Sequence, residues 1–242
     1  MHPASAFVLF NILFLWVVYI IVIRKEMSFL TNLVFNGEVL MLIVGMCSII
    51  SSDPGLVACN SSPSDKLIES DASASELRNE LPNEDCAFGG RVRYCKRCKA
   101  NVQGFDHHCP AFGNCVGQNN HRLFMVLLIG FIITEASYIV CSLQFATKSE
   151  ILDTTRSQNG LTGNLASSTM LFSVLQMAWQ VLFLMWHIYC VCFNIRTEEW
   201  INWKKYPEFH LSNESQTGNV RFRNPYHKGV LQNLKDFLAL KG

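Results

Sequence analysis

Four long apolar segments divide the chain, and more polar stretches separate them. The segments cover residues 6–23, 29–51, 123–147 and 167–193, and each contains at most one charged residue. A helix needs roughly 20 apolar residues to cross a bilayer, and all four segments are near or above that length. Four such segments are hard to bury in a soluble chain of 27.5 kDa. The pattern therefore predicts an all-α integral membrane protein with four transmembrane helices.

Lys and Arg are distributed unevenly among the polar stretches. Residues 24–28 and 148–166 carry two each, whereas residues 52–122 and the tail after residue 193 carry eight each. Basic residues are enriched in the cytosolic loops of membrane proteins. Both termini and the 52–122 stretch are therefore predicted to be cytosolic, in an endomembrane (Golgi or ER) or the plasma membrane. The net charge of +1 gives no reason to expect a nucleic-acid partner.

These features divide the chain into five regions. Residues 52–85 are rich in Ser, Asp, Glu and Asn and are interpreted as a cytosolic linker. Residues 86–122 are rich in Gly and Cys, and their hydrophobic residues show no clear period of 2 or 3.6. This is typical of a small module that a bound metal ion holds together. Residues 1–51 hold helices 1 and 2, residues 123–193 hold helices 3 and 4, and residues 194–242 form a cytosolic tail.

Outside the module, a few positions carry specific expectations. Glu38 and Glu135 interrupt apolar segments and are expected to face the bundle interior, where they either hydrogen bond between helices or serve a function. His187 is interpreted as a packed or snorkelling residue rather than a metal ligand. In the tail, five apolar residues at helical spacing predict one more helix, on the membrane surface or against the module: Val230, Leu231, Leu234, Phe237 and Leu238.

The module contains residues with the spacing of a metal site. Cys95 and Cys98 are two residues apart, so both thiolates can reach one ion. Cysteines on the reducing side of a membrane are more often metal ligands or reactive thiols than disulfide partners. His108 and Cys115 can supply the other two corners of a tetrahedron. The spacing therefore predicts a closed zinc site.

That assignment leaves three reactive residues outside the metal shell: Asp106, His107 and Cys109. An imidazole can take the proton of a neighbouring thiol, and a carboxylate can hold that imidazole in the required tautomer. The pattern therefore indicates a cysteine nucleophile with its base. The alternative is that Cys109 is a further metal ligand, in which case the chain has no thiol nucleophile.

At this point the residues resemble a known family, the DHHC protein S-acyltransferases, also called palmitoyltransferases. Asp106 to Cys109 match the name motif. Further matches occur in the expected order around four apolar segments, and they cover nearly the whole chain: Asp53-Pro54-Gly55 for the DPG motif, Asn114-Cys115-Val116-Gly117 with Asn120 and Phe124, Arg196-Thr197-Glu198-Glu199 for the TTxE motif, and Asn224-Pro225-Tyr226 with Gly229, Asn233 and Phe237.

The resemblance implies a function. Family members take a fatty acyl group from acyl-CoA as a thioester on the motif cysteine, and then pass it to a cysteine of a protein. By resemblance Cys109 is the nucleophile, His107 the base and Asp106 its orienting partner. The ligand set Cys95, Cys98, His108 and Cys115 is similar to the family's second zinc site, and the structural motif residues are Asp53, Pro54, Gly55, Thr197, Glu199 and Asn233. Expected partners are membrane lipid, fatty acyl-CoA, cytosolic or membrane-associated protein substrates, and an accessory subunit if activity requires one.

The chain also departs from the family pattern. The ligand positions of the family's other zinc site hold Leu81, Glu84, Tyr94 and Asn101, so all four ligands are absent together and one zinc per chain is expected. Ala111 stands where the family usually has Trp, and Arg196 stands at the first Thr of TTxE.

Six basic residues flank the reactive cysteine and suit either CoA phosphates or anionic lipid headgroups. They are Arg91, Arg93, Lys96, Arg97, Lys99 and Arg122. The rival to an acyltransferase is a catalytically inactive membrane scaffold whose zinc module binds partner proteins, which the missing ligands and Ala111 would suit. A metal transporter is weakly supported because the ligands cluster in one loop rather than along the spans.

Overall fold

The computed structural model describes residues 3–58, 91–152, 160–211 and 221–239. Four of the described helices are long and apolar enough to cross a membrane, which confirms the predicted number. Most of the predicted linker, from residue 59 onward, lies outside the described residues, and so do Leu81, Glu84 and Cys86.

The four candidate membrane helices are named α1 to α4. Helix α1 covers Pro3–Val18 and continues through a π-helical turn and a 3-10 turn to Glu26, and α2 covers Phe29–Ser51. Helix α3 covers His121–Leu152 and α4 covers Gly160–Phe193. Residues 148–166, predicted as a loop, are therefore helical at both ends. Hydropathy identifies only the part of a helix that can lie in the bilayer. The helix itself is held by backbone hydrogen bonds, so it can continue into polar sequence.

Helix α3 is the centre of the bundle and packs against both α2 and α4. A Cβ atom on Gly45 of α2 would lie 2.3 Å from Leu127 Cδ2 of α3, so this glycine allows the two helices to approach closely. Polar side chains add hydrogen bonds between the helices: Ser137 Oγ donates to Glu38 Oε1 (3.1 Å) and Gln180 Nε2 to Glu135 Oε1 (2.9 Å). Both glutamates therefore hydrogen bond between helices, one of the two roles expected of them.

The module contains short strands, so the all-α prediction was incomplete. Strands β1 (Leu56–Val57), β2 (Val92–Cys95) and β3 (Ala100–Gln103) form an antiparallel sheet in the order β1-β3-β2. Strands β4 (His107–Cys109) and β5 (Asn114–Val116) form a separate antiparallel hairpin. Strands of two to four residues are too short to leave a period of 2 in the sequence.

Two asparagines attach this module to the C-terminal end of α2, the end predicted to be near the cytosol. Asn114 Nδ2 donates to the carbonyls of Ile49 and Ser52, both at 2.9 Å, at the C-terminal end of the helix. Asn120 Nδ2 donates to Ser52 Oγ at 3.0 Å and to Cys115 O at 2.9 Å. The module is therefore held against the bundle by hydrogen bonds, as well as by apolar contact.

The DPG residues form a tight turn that packs on the module. Asp53 Oδ1 accepts from the backbone N–H groups of Leu56 and Gly55, both at 2.8 Å, and these bonds lower the pKa of the Asp53 carboxyl. Pro54 O lies so close to Gly117 that a Cβ there would approach it to 2.3 Å. Only glycine therefore fits at position 117 while the turn stays in place.

The tail packs against the C-terminal end of α4, the end predicted to be near the cytosol. It contains α5 (Thr197–Asn202), the hairpin β6 (His210–Leu211) and β7 (Arg221–Phe222), and α6 (Val230–Leu238). Asn233 Nδ2 donates to Cys192 O at 2.8 Å, which ties α6 to the end of α4.

Helix α6 confirms the helix predicted in the tail, but its apolar side is turned outward. Its buried residues are Asn233 and Asp236, whereas Leu231 is 77% exposed and Leu238 is 61% exposed. The helix therefore packs through Asn233, Asp236 and Phe237, whose ring centre lies 5.2 Å from that of His121, and leaves Leu231 and Leu238 exposed.

Candidate active site

Strand β4 divides its three residues, His107, His108 and Cys109, between two faces. Successive side chains of a strand point to opposite sides. His108 therefore points away from His107 and Cys109, and it pairs with Cys115 across the hairpin. In this way one short strand places a metal ligand on one face and a thiol with its neighbouring imidazole on the other.

The four predicted metal ligands come together on the first face. The ligand atoms of Cys95, Cys98, His108 and Cys115 all lie within 4.8 Å of one another. His108 Nδ1 lies 3.8 Å from Cys95 Sγ, 3.4 Å from Cys98 Sγ and 3.7 Å from Cys115 Sγ. A tetrahedral zinc ion separates such ligand atoms by about 3.5–3.8 Å, given Zn–S near 2.3 Å and Zn–N near 2.0 Å. Cys109 is not a member of this group.

The chemistry of these thiols also suits a cation. Burial raises the pKa of the Cys98 thiol, and Cys95 beside it contributes. Burial likewise raises the pKa of Cys115 well above its usual range, and hydrogen bonds with Cys98 and Cys95 add to the effect. Three crowded sulfurs thus resist ionisation without an added positive charge, and a divalent ion supplies that charge. The residues present therefore fit a structural zinc ion.

On the opposite face lie His107 and Cys109, and Asp106, which precedes the strand, is connected to them through His107. His107 Nδ1 donates to Asp106 Oδ2 at 2.7 Å. A hydrogen bond also links His107 to the Cys109 thiol. Asp106 is completely buried and Cys109 is 7% exposed. The three side chains are therefore connected in the order carboxylate, imidazole, thiol, which is the order of a nucleophile–base–carboxylate triad.

The charges of Asp106 and His107 stabilise each other. Burial alone would raise the pKa of Asp106, but the hydrogen bond from His107 and the imidazoles of His121 and His187 hold that pKa well below its usual range. Burial alone would lower the pKa of His107, but its hydrogen bonds with Asp106 and Cys109 raise it. The imidazole therefore holds a proton more strongly than a free histidine does.

The start of α5 holds Asp106 from the other side. The backbone N–H of Thr197 donates to Asp106 Oδ1 at 3.0 Å, and that of Glu198 donates to Asp106 O at 3.0 Å. These N–H groups belong to the first turn of the helix, where backbone donors have no acceptor within the helix itself. The position of α5 therefore decides the orientation of the carboxylate.

A buried ion pair sets the position of α5. Arg91 Nε and Nη2 donate to the two carboxylate oxygens of Glu199 at 2.8 and 2.7 Å. Arg91 Nη1 also donates to Asn194 Oδ1 at 2.6 Å, and the guanidinium lies 3.9 Å from the centre of the Tyr226 ring. Glu199 in turn accepts from the backbone N–H of Arg196 at 2.9 Å. Arg91 therefore joins the module, the end of α4 and the tail.

We expect Arg91→Met to destabilise the protein strongly. The change leaves the Glu199 carboxylate, which is 1% exposed, without its counter-ion, and breaking a buried pair in this way costs about 3–5 kcal/mol. Arg93→Met is the matched control, because its partner Glu208 is 34% exposed and such pairs contribute at most about 1 kcal/mol. Thermal unfolding of the purified variants in detergent checks this. Equal shifts in Tm for the two variants would contradict the role of Arg91.

Two further histidines, His121 and His187, lie beside the triad. The side chain of His187 is fully buried, its Nδ1 lies 3.9 Å from Asp106 Oδ2, and its ring centre is 5.6 Å from that of His107. The residue is buried and does not snorkel, and its imidazole lies with Asp106 and His107 in a second group of residues that could hold a metal ion. His121 lies at the start of α3 and accepts a hydrogen bond from Arg196. Sequence reasoning connected neither histidine to the triad, because contacts between α3, α4 and the module leave no local pattern.

The six basic residues expected to hold phosphates differ in exposure. Arg91 is buried, and Arg93 and Arg122 are partly buried; Arg91 and Arg93 pair with Glu199 and Glu208, and Arg122 Nη1 donates to Leu238 O at 2.6 Å. Lys96, Arg97 and Lys99 have exposed side chains in the turn between β2 and β3, and Lys96 also interacts with another protein group. The guanidinium of Arg91 is already fully engaged, so a role in binding phosphate is better suited to the exposed turn.

An apolar cavity of about 470 Å3 lies between the four helices. Its wall is formed mainly by aliphatic and aromatic side chains, including Ile12, Leu42 and Phe131. Cys109 belongs to the same continuous apolar cluster as Ile12 and Leu42. The thiol therefore packs in the same apolar region that borders this half-open cavity.

Comparison with known proteins gives a consistent result. The family model described as DHHC palmitoyltransferase matches residues 85–204. Palmitoyltransferase ZDHHC17 of Rattus norvegicus is 28% identical over 233 residues, which cover 90% of this chain and 36% of the relative. Palmitoyltransferase Hip14 of Drosophila melanogaster is 28% identical over 241 residues, covering 92% of this chain and 35% of the relative. Palmitoyltransferase ZDHHC18-B of Danio rerio is 32% identical over 146 residues, covering 56% of this chain and 33% of the relative.

The chain spans about a third of the length of these curated relatives. The family model covers the part of the chain that contains β4, the four clustered metal-ligand residues and the start of α5. Of the four helices able to cross a membrane, α1 and α2 precede this region, and α3 and α4 lie within it. The sequence match and the arrangement of the site agree, and the chain belongs to the DHHC palmitoyltransferase family.

Proposed function

We propose that this protein is a protein S-acyltransferase. It would move a long-chain fatty acyl group, such as palmitoyl, from acyl-CoA to cysteines of other proteins through a thioester on Cys109. The observation that carries the proposal is the connected set of Asp106, His107 and Cys109, whose thiol packs in the apolar region that borders a half-open cavity. An apolar cavity suits an acyl chain, because each buried methylene contributes roughly 0.8 kcal/mol.

The first half-reaction loads the enzyme. The Cys109 thiol gives its proton to the ring nitrogen of His107 that does not face Asp106, and the thiolate attacks the carbonyl carbon of acyl-CoA. The bond between that carbon and the CoA sulfur breaks, and the leaving thiolate takes the proton from His107. Asp106 keeps the imidazole in the required tautomer and stabilises its positive charge.

The second half-reaction transfers the acyl group. A cysteine of the protein substrate gives its proton to His107 and attacks the thioester carbon on Cys109. The bond to Cys109 breaks, and this thiolate takes the proton back from His107. No net proton is gained or lost over the two steps, so His107 acts as base and acid in turn.

Zinc would have a structural role in this scheme. Cys95, Cys98, His108 and Cys115 would hold it and connect the β2–β3 turn to the β4–β5 hairpin. A closed four-ligand site leaves no open position for a substrate. The ion would therefore keep β4 in place, with Cys109 and His107 facing the bundle.

We expect purified protein to contain about one zinc ion per chain. Elemental analysis by mass spectrometry measures this value. Cys98→Ser should lower the zinc content and the Tm together, because metal binding and folding are coupled in such modules. Cys47→Ser changes an exposed cysteine outside the site and should alter neither. Two zinc ions per chain would contradict the expected loss of the other family site.

The orientation and partners follow from charge and surface. The excess of Lys and Arg in residues 52–122 and in the tail supports a cytosolic module with both termini on the same side, in an endomembrane or the plasma membrane. The outward apolar side of α6 suits the interfacial region of the bilayer. Lys96, Arg97 and Lys99 are exposed and suit the phosphates of CoA. Protein substrates with cytosolic or membrane-proximal cysteines, and an accessory subunit, complete the proposed partners.

The test uses the full chain, purified in detergent and incubated with labelled palmitoyl-CoA. We expect an acyl label that hydroxylamine removes, that mass spectrometry locates on the peptide containing Cys109, and that free CoA discharges by the reverse reaction. Discharge by CoA needs no knowledge of the protein substrate. Absence of label from folded, zinc-loaded protein would overturn the proposal and favour an inactive scaffold. The complete triad disfavours the scaffold, which has no use for a nucleophile with its base.

A further inference from the structure

Aromatic side chains form a connected group where α4 ends and the tail begins. The ring centre of Trp200 in α5 lies 5.9 Å from that of Trp186 and 6.0 Å from that of Tyr189, both in α4. It also lies 5.7 Å from the ring centre of Phe222 in β7. Trp and Tyr are enriched where a bilayer meets water, because their rings are apolar with a polar edge. Since α4 can cross a membrane, this group places the adjoining part of the tail at the level of the lipid headgroups.

The exposed charges of the tail are mostly positive. Six basic residues have exposed side chains: Lys204, Lys205, Arg221, Arg223, Lys228 and Lys235. Of the four acidic residues in the described tail, Glu199 and Asp236 are buried and Glu198 is partly buried. The fourth, Glu208, pairs with Arg93 of the module. The outer surface of the tail therefore carries an excess of positive charge.

Exposed apolar side chains lie among these cations. Leu231, Lys235 and Leu238 are spaced at i, i+4 and i+7, which places them on one face of α6. The two leucines are 77% and 61% exposed, so this face is turned outward. Ile201, which follows Trp200 in α5, is 68% exposed. Basic residues combined with exposed apolar residues favour binding at the surface of an anionic bilayer.

We propose that this surface of the tail binds anionic phospholipids in the leaflet next to it. The apolar side chains would enter the interfacial region, and the exposed Lys and Arg side chains would bind the negatively charged headgroups. CoA also offers phosphates, but it would leave the outward leucines of α6 in water. The inference goes beyond the proposed reaction and does not involve Cys109, since it depends only on the position of the tail at the end of α4.

Native mass spectrometry of the full-length protein tests this binding. The purified protein is titrated in detergent with phosphatidylserine and with phosphatidylcholine, which gives an affinity for each lipid. We expect phosphatidylserine to bind at least about fivefold more tightly, the effect of roughly one basic residue near an anionic surface. Combining Lys204→Gln, Arg221→Gln and Lys235→Gln removes cations from three parts of the tail and should reduce the preference to less than about twofold.

Combining Lys96→Gln, Arg97→Gln and Lys99→Gln gives the matched control, because it also removes two lysines and one arginine from an exposed surface. It should leave the preference for phosphatidylserine within about twofold of its starting value. Equal affinity of the starting protein for both lipids overturns the inference, and so does a preference that survives the tail changes or disappears in the control.

Two further measurements separate the sources of negative charge and the two proposals. The affinity of the tail variant for palmitoyl-CoA should not change. A loss of that affinity with the lipid preference intact would assign the tail cations to CoA and overturn the inference. Failure of Cys109 to form a thioester would overturn the proposed reaction alone, because binding of phosphatidylserine does not require that thiol.

Discussion

Cys109→Ala is expected to reduce acyl labelling of the protein to background, a loss of at least about a hundredfold in the rate of thioester formation. The change removes the only thiol that is hydrogen bonded to His107 among the described residues. Alanine occupies less volume, and Cys109 lies in a strand that is also held by its backbone pairing with Asn114. The fold and the zinc content should therefore persist, so the loss reports chemistry rather than unfolding.

Two measurements make this result decisive. The first is the rate of hydroxylamine-sensitive labelling with palmitoyl-CoA, and the second is zinc content together with Tm. Cys192→Ala serves as the matched control, because Cys192 is a partly exposed cysteine at the end of α4 and should retain most of the label. Label that stays on the Cys109→Ala protein at the original rate would show that another residue carries the acyl group.

Asp106→Asn should lower the rate of thioester formation by about 10²- to 10⁴-fold while the protein remains folded. Asparagine has a similar shape but no charge, so it neither stabilises the His107 imidazolium nor favours the required tautomer. The Oδ1 position can still accept the hydrogen bond from the backbone N–H of Thr197. The defect should therefore appear in the chemical step, and affinity for palmitoyl-CoA should change little.

Rapid-quench labelling at saturating palmitoyl-CoA separates this effect from binding. Glu208→Gln removes a partly exposed carboxylate far from the triad in sequence and should leave the labelling rate within about twofold. A rate for Asp106→Asn close to that of the unmodified protein would mean that Cys109 reacts without help from the carboxylate. The triad would then be a packing arrangement only.

Much of this molecule is already determined by local sequence. Hydropathy predicted four candidate membrane helices, because crossing a bilayer requires long uninterrupted apolar stretches whose length is readable in one dimension. The spacing of Cys95 and Cys98, with His108 and Cys115, predicted the residues that cluster into one site. The alternation of β4 follows directly from the order of Asp106 to Cys109, once the segment is known to be extended.

Other features depend on contacts between residues distant in the chain. The Arg91–Glu199 pair joins residues 108 positions apart. Sequence reasoning therefore suggested that Arg91 binds phosphate, whereas in the fold it forms a buried ion pair. His187 lies beside Asp106 only because α4 returns to the module, and no periodic pattern distinguishes it from a packing residue. Sequence likewise could not predict which side of α6 is exposed. A row of apolar residues indicates that a helix has an apolar face, but not what that face contacts.

Glu135 illustrates the same division. Sequence showed that Glu135 interrupts an apolar helix and is expected to face the interior, because a carboxyl group facing lipid is costly. Only the packing of α3 against α4 decided that one of its oxygens meets Gln180, while the other is buried without a hydrogen-bond partner among the described residues. Local sequence thus determines which segments form helices and which residues can react, since both depend on neighbours along the chain. The tertiary structure determines which of those groups meet, because that depends on the path of the whole chain.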